Sequence, residues 1–376
     1  MIHVAVDANC LAWGWGGIPK VVDRVVRELV ALGVRVDLLA NSAGPFVEIE
    51  GAGQAFVRIT GTTLWRELFL AGWVARHRPS VLWAPESVLP RRLSAASVVT
   101  LHDLAALLFP GVKPARHRVS FQTAVRRSVR SATRVVAVSR TTAGDAERLF
   151  GVPAGDIAVV PNGVDPAFVP GDRGRAFAAV RERFGLDRPF VLAVGALEPR
   201  KGLDVLVDVA EEAVRRSVPW DVVLAGAPGF RSGELVARAR ASDRCHLLGS
   251  VSEPELLDLY RAAEALVAPS LYEGFGLTPL EAMACGTPAV VATSSGGLAE
   301  VSGGAARLVS DRSAPSWIAA VEAVRSDRAR FAEAGLRHAA RYGWPRTAEA
   351  MLAVFEEAAG CDRHRRGRWR KRTTPR

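Results

Sequence analysis

Short runs of apolar residues alternate with longer amphipathic stretches along nearly the whole chain. From Ile2 to about Pro161 the apolar runs centre on Val4, Val36, Val81, Val98, Val135 and Val159, and most of the stretches between them repeat their apolar residues at helical spacing. A second series runs from Phe190 to about Val309 through the segments FVLAV, DVVLA, CHLL, ALVAPS and PAVVA. Alternation of this kind specifies a parallel sheet covered by helices, so two α/β domains in tandem are predicted. Between the two series stand Pro166, Pro170, Gly171 and Gly174 among charged residues. They break regular elements and predict a linker and hinge over 166–188. The expected organisation is a first domain over 1–165, a second over 189–345, and an amphipathic helix over 346–360.

Composition fits this division. A length of 376 residues exceeds one typical core and suits two domains of common size. Hydrophobic residues make up 49% of the chain, yet no uninterrupted apolar stretch reaches the roughly 18 residues of a membrane span. Met1 to Val6 reads as a strand rather than as the charged start of a signal peptide, so a cytoplasmic protein is expected. Cys10, Cys245, Cys285 and Cys361 are scattered, without a C-x-x-C pair or a histidine at ligand spacing. They indicate neither a disulfide framework nor a zinc site.

The net charge of +10 suggests nucleic acid until its distribution is read. Eight of the positive charges and one negative charge lie in 362–376, which leaves +3 for the rest of the chain. A block of this kind is expected to be solvated and disordered, serving solubility or contact with an anionic membrane face. No RNA-binding motif accompanies it, so no nucleic-acid partner is expected. A helix from about Pro114 to Ser131 carries Arg116, Arg118, Arg126, Arg127 and Arg130 among apolar residues. It reads either as a membrane-facing basic helix or as a solvated face over a domain core.

Candidate chemistry begins at ALVAPS, a short buried strand followed by Glu273-Gly274-Phe275-Gly276 and then a helical pattern from Leu277. At such a strand–loop–helix junction the first helical N–H groups lack internal partners and favour an anion, typically phosphate. Gly274 and Gly276 let a ligand approach the backbone. Glu273 falls at the mouth of this site, and Glu281 lies roughly 7 Å deeper along the helix, so one carboxylate reaches a sugar and the other a ribose. The plain alternative is a solvent-facing acidic pair on a capped helix.

Arg200 and Lys201 follow the strand FVLAV by a few residues and precede a helix expected near Gly202. As surface cations at a helix start they would oppose the helix dipole; as a phosphate clamp they sit where phosphates bind. His102-Asp103 follows another strand end, facing the predicted cleft. No Asp-x-Asp occurs in the chain, so protein cations rather than a metal are expected to meet the charge of a leaving phosphate.

The whole Glu273-to-Glu281 pattern resembles the E-x7-E signature of retaining glycosyltransferases of the two-domain GT-B fold, the large family 4. Val194 to Gly202 resembles that family's phosphate-binding loop and Pro161 to Asp165 its interdomain segment. The resemblance implies two Rossmann-like domains facing across a cleft, with the C-terminal helix crossing back onto the first. It implies a nucleotide diphosphate sugar as donor and a sugar or lipid-linked acceptor. Hexosyl transfer with retention follows, with mannose from GDP-mannose as first guess and no cofactor or metal. It further implies His102, Arg200, Lys201 and Glu273 as catalytic residues. Glu281, Gly274, Phe275, Gly276, Leu277, Gly195 and Asp103 would contact substrates, and a loop at Gly14, Gly16 and Gly17 would close over the diphosphate.

Ala196 departs from the pattern, because many members carry arginine there; a subset with Gly-small-Leu-Glu-Pro-Arg-Lys does not. Trp13 and Trp15 either bracket an acceptor or simply pack. Ser294 to Glu300 resembles a family loop that ends in an acidic residue, or reads as an ordinary strand–helix cap. Two other functions fit the architecture: a nucleotide-sugar epimerase and a non-catalytic sugar or membrane-surface binder.

Overall fold

Valine, leucine, isoleucine and alanine occupy consecutive strand positions here because helices cover both faces of each sheet. All four residues of Val81–Ala84 and all five of Asp221–Ala225 are buried. The computed structural model describes residues 2–13, 16–44, 47–109 and 115–361. Gly14, Trp15, Pro114 and the basic segment 362–376 lie outside the described residues, as do the side chains of Trp13, Arg116 and Arg118.

The first sheet contains β1 (His3–Asp7), β2 (Arg35–Ala40), β3 (Gly53–Phe56), β4 (Val81–Ala84), β5 (Ala96–Leu101), β6 (Arg134–Ala137) and β7 (Ile157–Val159). The second contains β8 (Phe190–Val194), β9 (Asp221–Ala225), β10 (Cys245–Gly249), β11 (Ala265–Ala268), β12 (Ala289–Ala292) and β13 (Arg307–Val309). Their orders are β3-β2-β1-β4-β5-β6-β7 and β10-β9-β8-β11-β12-β13, and every pairing is parallel. In each sheet the order reverses beside the first strand. A crevice opens outside the carboxyl ends of the strands at such a switch point. The carboxyl ends of β5 and β6 face those of β8 and β11, so two tandem Rossmann-like domains face each other across a cleft.

The helix Gly17–Ala31 buries Val21, Val22, Val25, Val26 and Leu29 on one face and ends before Gly33, whose φ of 78° suits glycine. Against it lies the last helix, Trp344–Gly360, whose Met351, Val354, Phe355 and Ala358 share the first domain's core with Val22, Val25 and Trp83. The chain therefore crosses back as expected. At the crossing Val164 N–H donates to Tyr342 O at 3.0 Å, and a Cβ at Gly163 would stand 2.5 Å from Trp344 N.

Part of the segment expected as linker is a packed helix instead. Arg173–Phe184 is capped by Asp172, whose side chain accepts from Arg175 N–H, and stops at the left-handed Gly185. Ala176 and Val180 lie in one core with Phe190 and Tyr260, so this piece belongs to the second domain. Among the described residues, no helix is long and apolar enough to cross a membrane. In the basic helix Ala115–Ser131, Arg127 Nη2 bonds the Leu89 carbonyl and Arg130 Nε donates to Phe150 O at 3.3 Å, tying that helix to its own domain.

Candidate functional site

Adjacent strands β8 and β11 deliver the two loops singled out from sequence to one place. After β8 the chain makes a tight turn, Pro199–Lys201; the helix expected near Gly202 starts only at Asp204. Gly202 turns with φ 64°, and a Cβ there would stand 2.3 Å from the Pro269 carbonyl oxygen. Leu271 N–H donates to Arg200 O at 2.9 Å, which joins the two loops through backbone.

Glu273 sits between the two cations. Its Oε2 accepts from Arg200 Nη1 at 2.8 Å, its Oε1 lies 2.6 Å from Lys201 Nζ, and Ser270 Oγ donates to the same oxygen at 3.1 Å. Arg200 Nη1 also donates to Tyr272 O at 3.0 Å. Burial disfavours the Glu273 carboxylate, yet Lys201 and Arg200 outweigh that cost and hold its pKa below the usual range. For Arg200 burial likewise opposes the charge, and Glu273 reverses the balance, raising its pKa. Gly195 has φ 131°, and a Cβ on it would lie 3.3 Å from Lys201 Nζ, so the lysine ammonium rests over its backbone. Ala196 is exposed.

Glu281 lies on the helix Leu277–Ala284 and is 5% exposed. Its Oε1 accepts from Lys20 Nζ at 2.9 Å and its Oε2 from the Tyr260 hydroxyl at 2.9 Å. Lys20, which also stands over the Phe168 ring at 4.6 Å, comes from the first domain. Sequence reading missed both partners; the only signal for Lys20 was its place just after Gly16-Gly17. Gly16 precedes the first helix in extended conformation, and a Cβ at Gly17 would meet nothing within 4 Å, so this stretch borders open space.

Gly274 of the Glu273 loop is needed for close packing between the domains. A Cβ at Gly274 would stand 1.8 Å from the His102 carbonyl oxygen, and one at Gly297 would stand 2.2 Å from the Glu273 carbonyl oxygen. The absent side chains let the two domains and the next helix close on the loop backbone. Gly276 has φ 129°, a conformation that an L side chain rarely adopts. The Phe275 ring lies in the second domain's core beside Tyr342, which leaves its backbone as the part that faces the loop. Leu277 packs partly buried on the same core.

Across the cleft, His102 follows β5. Its Nε2 is buried without a hydrogen-bond partner. Burial pulls its pKa from the ordinary 6.5 down to about 4, against smaller opposing effects of Asp103 and the Pro85 backbone. Asp103 is exposed and uses Oδ1 to accept from Ala105 N–H at 3.0 Å, which stabilises the local turn. At the end of β1, fully buried Asp7 receives Arg66 Nε at 2.5 Å and Asn9 Nδ2 at 2.6 Å, and Glu86 takes Arg66 Nη2 at 2.8 Å. This network, also missed from sequence, fixes the floor beneath the segment that follows β1.

The neutral His102 ring makes a prediction. Between pH 6.5 and 4 the unfolded chain binds a proton that the folded chain refuses, so stability falls as pH drops through that window. Urea titrations of the wild type and His102→Asn at pH 7 and pH 4 are expected to show the wild type losing about 3 kcal/mol more than the variant. Equal losses would mean that the ring is not held neutral.

Comparison with known proteins adds to this geometry. Residues 15–168 match the family model described as Glycosyltransferase Family 4, and residues 188–327 match the one described as Glycosyl transferases group 1. A protein of Xylanimonas cellulosilytica named D-inositol 3-phosphate glycosyltransferase is 37% identical over 77% of this chain and 69% of its own length. The chain belongs to glycosyltransferase family 4. A relative of the same name from Kineococcus radiotolerans is 36% identical over 61% of this chain and 58% of its own length, so this family 4 chain spans somewhat over half of that relative. Anabaena Alr3699/HepE, solved in complex with UDP-glucose, matches 95% of the chain and 100% of its own with a TM-score of 0.75 at 16% identity. That likeness identifies the GT-B fold.

Proposed function

We propose that this family 4 glycosyltransferase moves a hexosyl group from a nucleoside diphosphate sugar to an acceptor hydroxyl with retention of anomeric configuration. The observation that carries this reading is the buried Glu273 held between Arg200 and Lys201 at the ends of β8 and β11, facing His102 of the other domain across the cleft. Two cations beside a helix start suit a diphosphate that gains negative charge as the glycosidic bond breaks. In this reading Lys201, Arg200 and the backbone around Gly195 and Gly276 hold the diphosphate. Glu273 orients sugar hydroxyls, Glu281 accepts from the ribose, and neutral His102 bonds the transferred sugar through Nε2.

The acceptor oxygen attacks on the face from which the diphosphate leaves. The new C–O bond forms as the old one breaks, and the departing phosphate oxygen takes the acceptor proton. This reading invokes no covalent intermediate, and in it the protein cations take the place of a metal. Inositol 3-phosphate is the first acceptor to try, since the relatives carry it in their names. GDP-mannose and UDP-glucose are the first donors, the latter because HepE was solved with it.

The test is donor consumption by purified protein across GDP-, UDP-, ADP- and dTDP-sugars, with and without inositol 3-phosphate, followed by NMR of the product anomer. One donor consumed only with an acceptor, giving the donor's own anomeric configuration, is the expected result. A free nucleotide sugar of altered configuration would show an epimerase, and no consumption of any donor would remove the enzyme reading.

A further inference from the structure

The two residues that flank Glu273 are both gripped by the opposite domain. Gly274 O accepts from Ser139 Oγ at 2.6 Å and from Thr142 Oγ1 at 3.1 Å, both buried. The Tyr272 hydroxyl donates to Asp145 Oδ2 at 2.8 Å and accepts from Leu104 N–H at 3.3 Å. Ser139 caps the helix Arg140–Phe150, which carries Thr142 and Asp145 at one-turn spacing. The grip is returned from the second domain: Glu300 accepts from Arg140 N–H and Thr141 N–H at 2.7 Å each and from Thr141 Oγ1 at 2.8 Å.

We infer that Ser139, Thr142 and Asp145 are positioning residues through which the first domain sets the Glu273 carboxylate. A carbonyl has two acceptor sites, and here both neighbouring hydroxyls use them, so Gly274 is fixed in orientation as well as in place. Tyr272 is fixed at the other end, and its own carbonyl receives Arg200. Glu273 therefore hangs between two points that belong to the far side of the cleft, while its charge partners belong to the near side. Opening the cleft breaks the first set and leaves the second.

This inference rests on the proposed transferase function, and its test separates the two. Thr142→Val removes one hydroxyl without touching the Ser139 cap, Ser139→Ala combined with it removes both, and Asp145→Ala removes the acceptor of the Tyr272 hydroxyl and leaves the Leu104 N–H bond. The double variant and Asp145→Ala are each expected to lower kcat by roughly 10²-fold, as displacement of a reacting group does. Affinity for the nucleoside diphosphate alone should fall far less than kcat, because Arg200 and Lys201 keep their places on the near side. Asp145→Asn, which still offers an oxygen to Tyr272, should recover most of the rate lost in Asp145→Ala. Hydrogen exchange supplies a readout independent of turnover: amides of 271–277 should exchange faster in the variants, with β8 and β11 unchanged. Unaltered kcat and unaltered exchange would overturn the inference, as would a parallel loss of rate, nucleotide affinity and protection throughout the chain. If the wild type transfers nothing while exchange at 271–277 rises as expected, the transferase reading fails and the positioning stands.

Discussion

Lys201→Ala is expected to lower kcat by roughly 10²–10³-fold, the loss typical of removing one group aimed at developing charge. Lys201 Nζ is 2.6 Å from Glu273 and its side chain is 19% exposed, so water replaces it poorly. In the proposed reaction the leaving diphosphate carries more charge in the transition state than in the bound donor, so the substitution should damage kcat more than affinity for the donor. A second consequence concerns pH. Burial disfavours ionised Glu273, and Lys201 is the larger of the two cationic influences that keep its pKa below the usual range. Without Lys201 that pKa rises, so the acid limb of the rate profile should move to higher pH. Initial rates from pH 4 to 8 in wild type and variant check both points. An unchanged kcat would remove Lys201 from the reaction, and an unmoved acid limb would remove Glu273 as its titrating group.

The second large effect is expected at Gly274→Ala. The added carbon would meet the His102 carbonyl oxygen at 1.8 Å, its carbonyl carbon at 2.8 Å and Asp103 Cα at 2.9 Å. All three are backbone atoms at the end of a buried strand, which cannot turn aside as a flexible side chain does. Overpacking of a fitted interior costs about 1–3 kcal/mol, and here it falls on the contact between domains. The cleft must open or the Glu273 loop must shift; either outcome should lower kcat by roughly 10²-fold. Solution scattering should show a larger radius of gyration than for the wild type. Gly233→Ala, where an added carbon meets nothing within 4 Å, is the control. Wild-type rate in Gly274→Ala would show that the closed arrangement is not the active one.

The strands of both sheets were legible because they are buried on both faces and read as unbroken valine and leucine runs. The edge strands were less so. Gly53–Phe56 is only half-buried and begins with glycine, and Arg307–Val309 buries just its last residue, so neither shows the apolar run of an inner strand. The helix Arg173–Phe184 was hidden by the prolines and glycines around it, although Asp172 and Gly185 mark its two ends. At the site, strand–loop order placed Arg200 and Lys201 at the end of one strand and Glu273 at the end of another, without showing that the two strands are neighbours. It did not show that these residues bond one another, because periodicity reports which face a residue occupies and not which side chain meets it across 72 or 73 positions. For the same reason Lys20, Tyr260 and the Ser139–Asp145 turn were invisible, and Gly274 was read as room for ligand when the space is filled by His102.

The central claim is that Arg200 and Lys201, organised by Glu273, meet the charge of a leaving diphosphate without a metal. The most direct measurement is the transfer rate from the consumed donor in EDTA, with magnesium as comparison, for wild type and Lys201→Ala. The account predicts the same wild-type rate in both solutions and a collapse of that rate in the variant. A wild-type rate that vanishes in EDTA and returns with magnesium, or a variant as fast as the wild type, would contradict it.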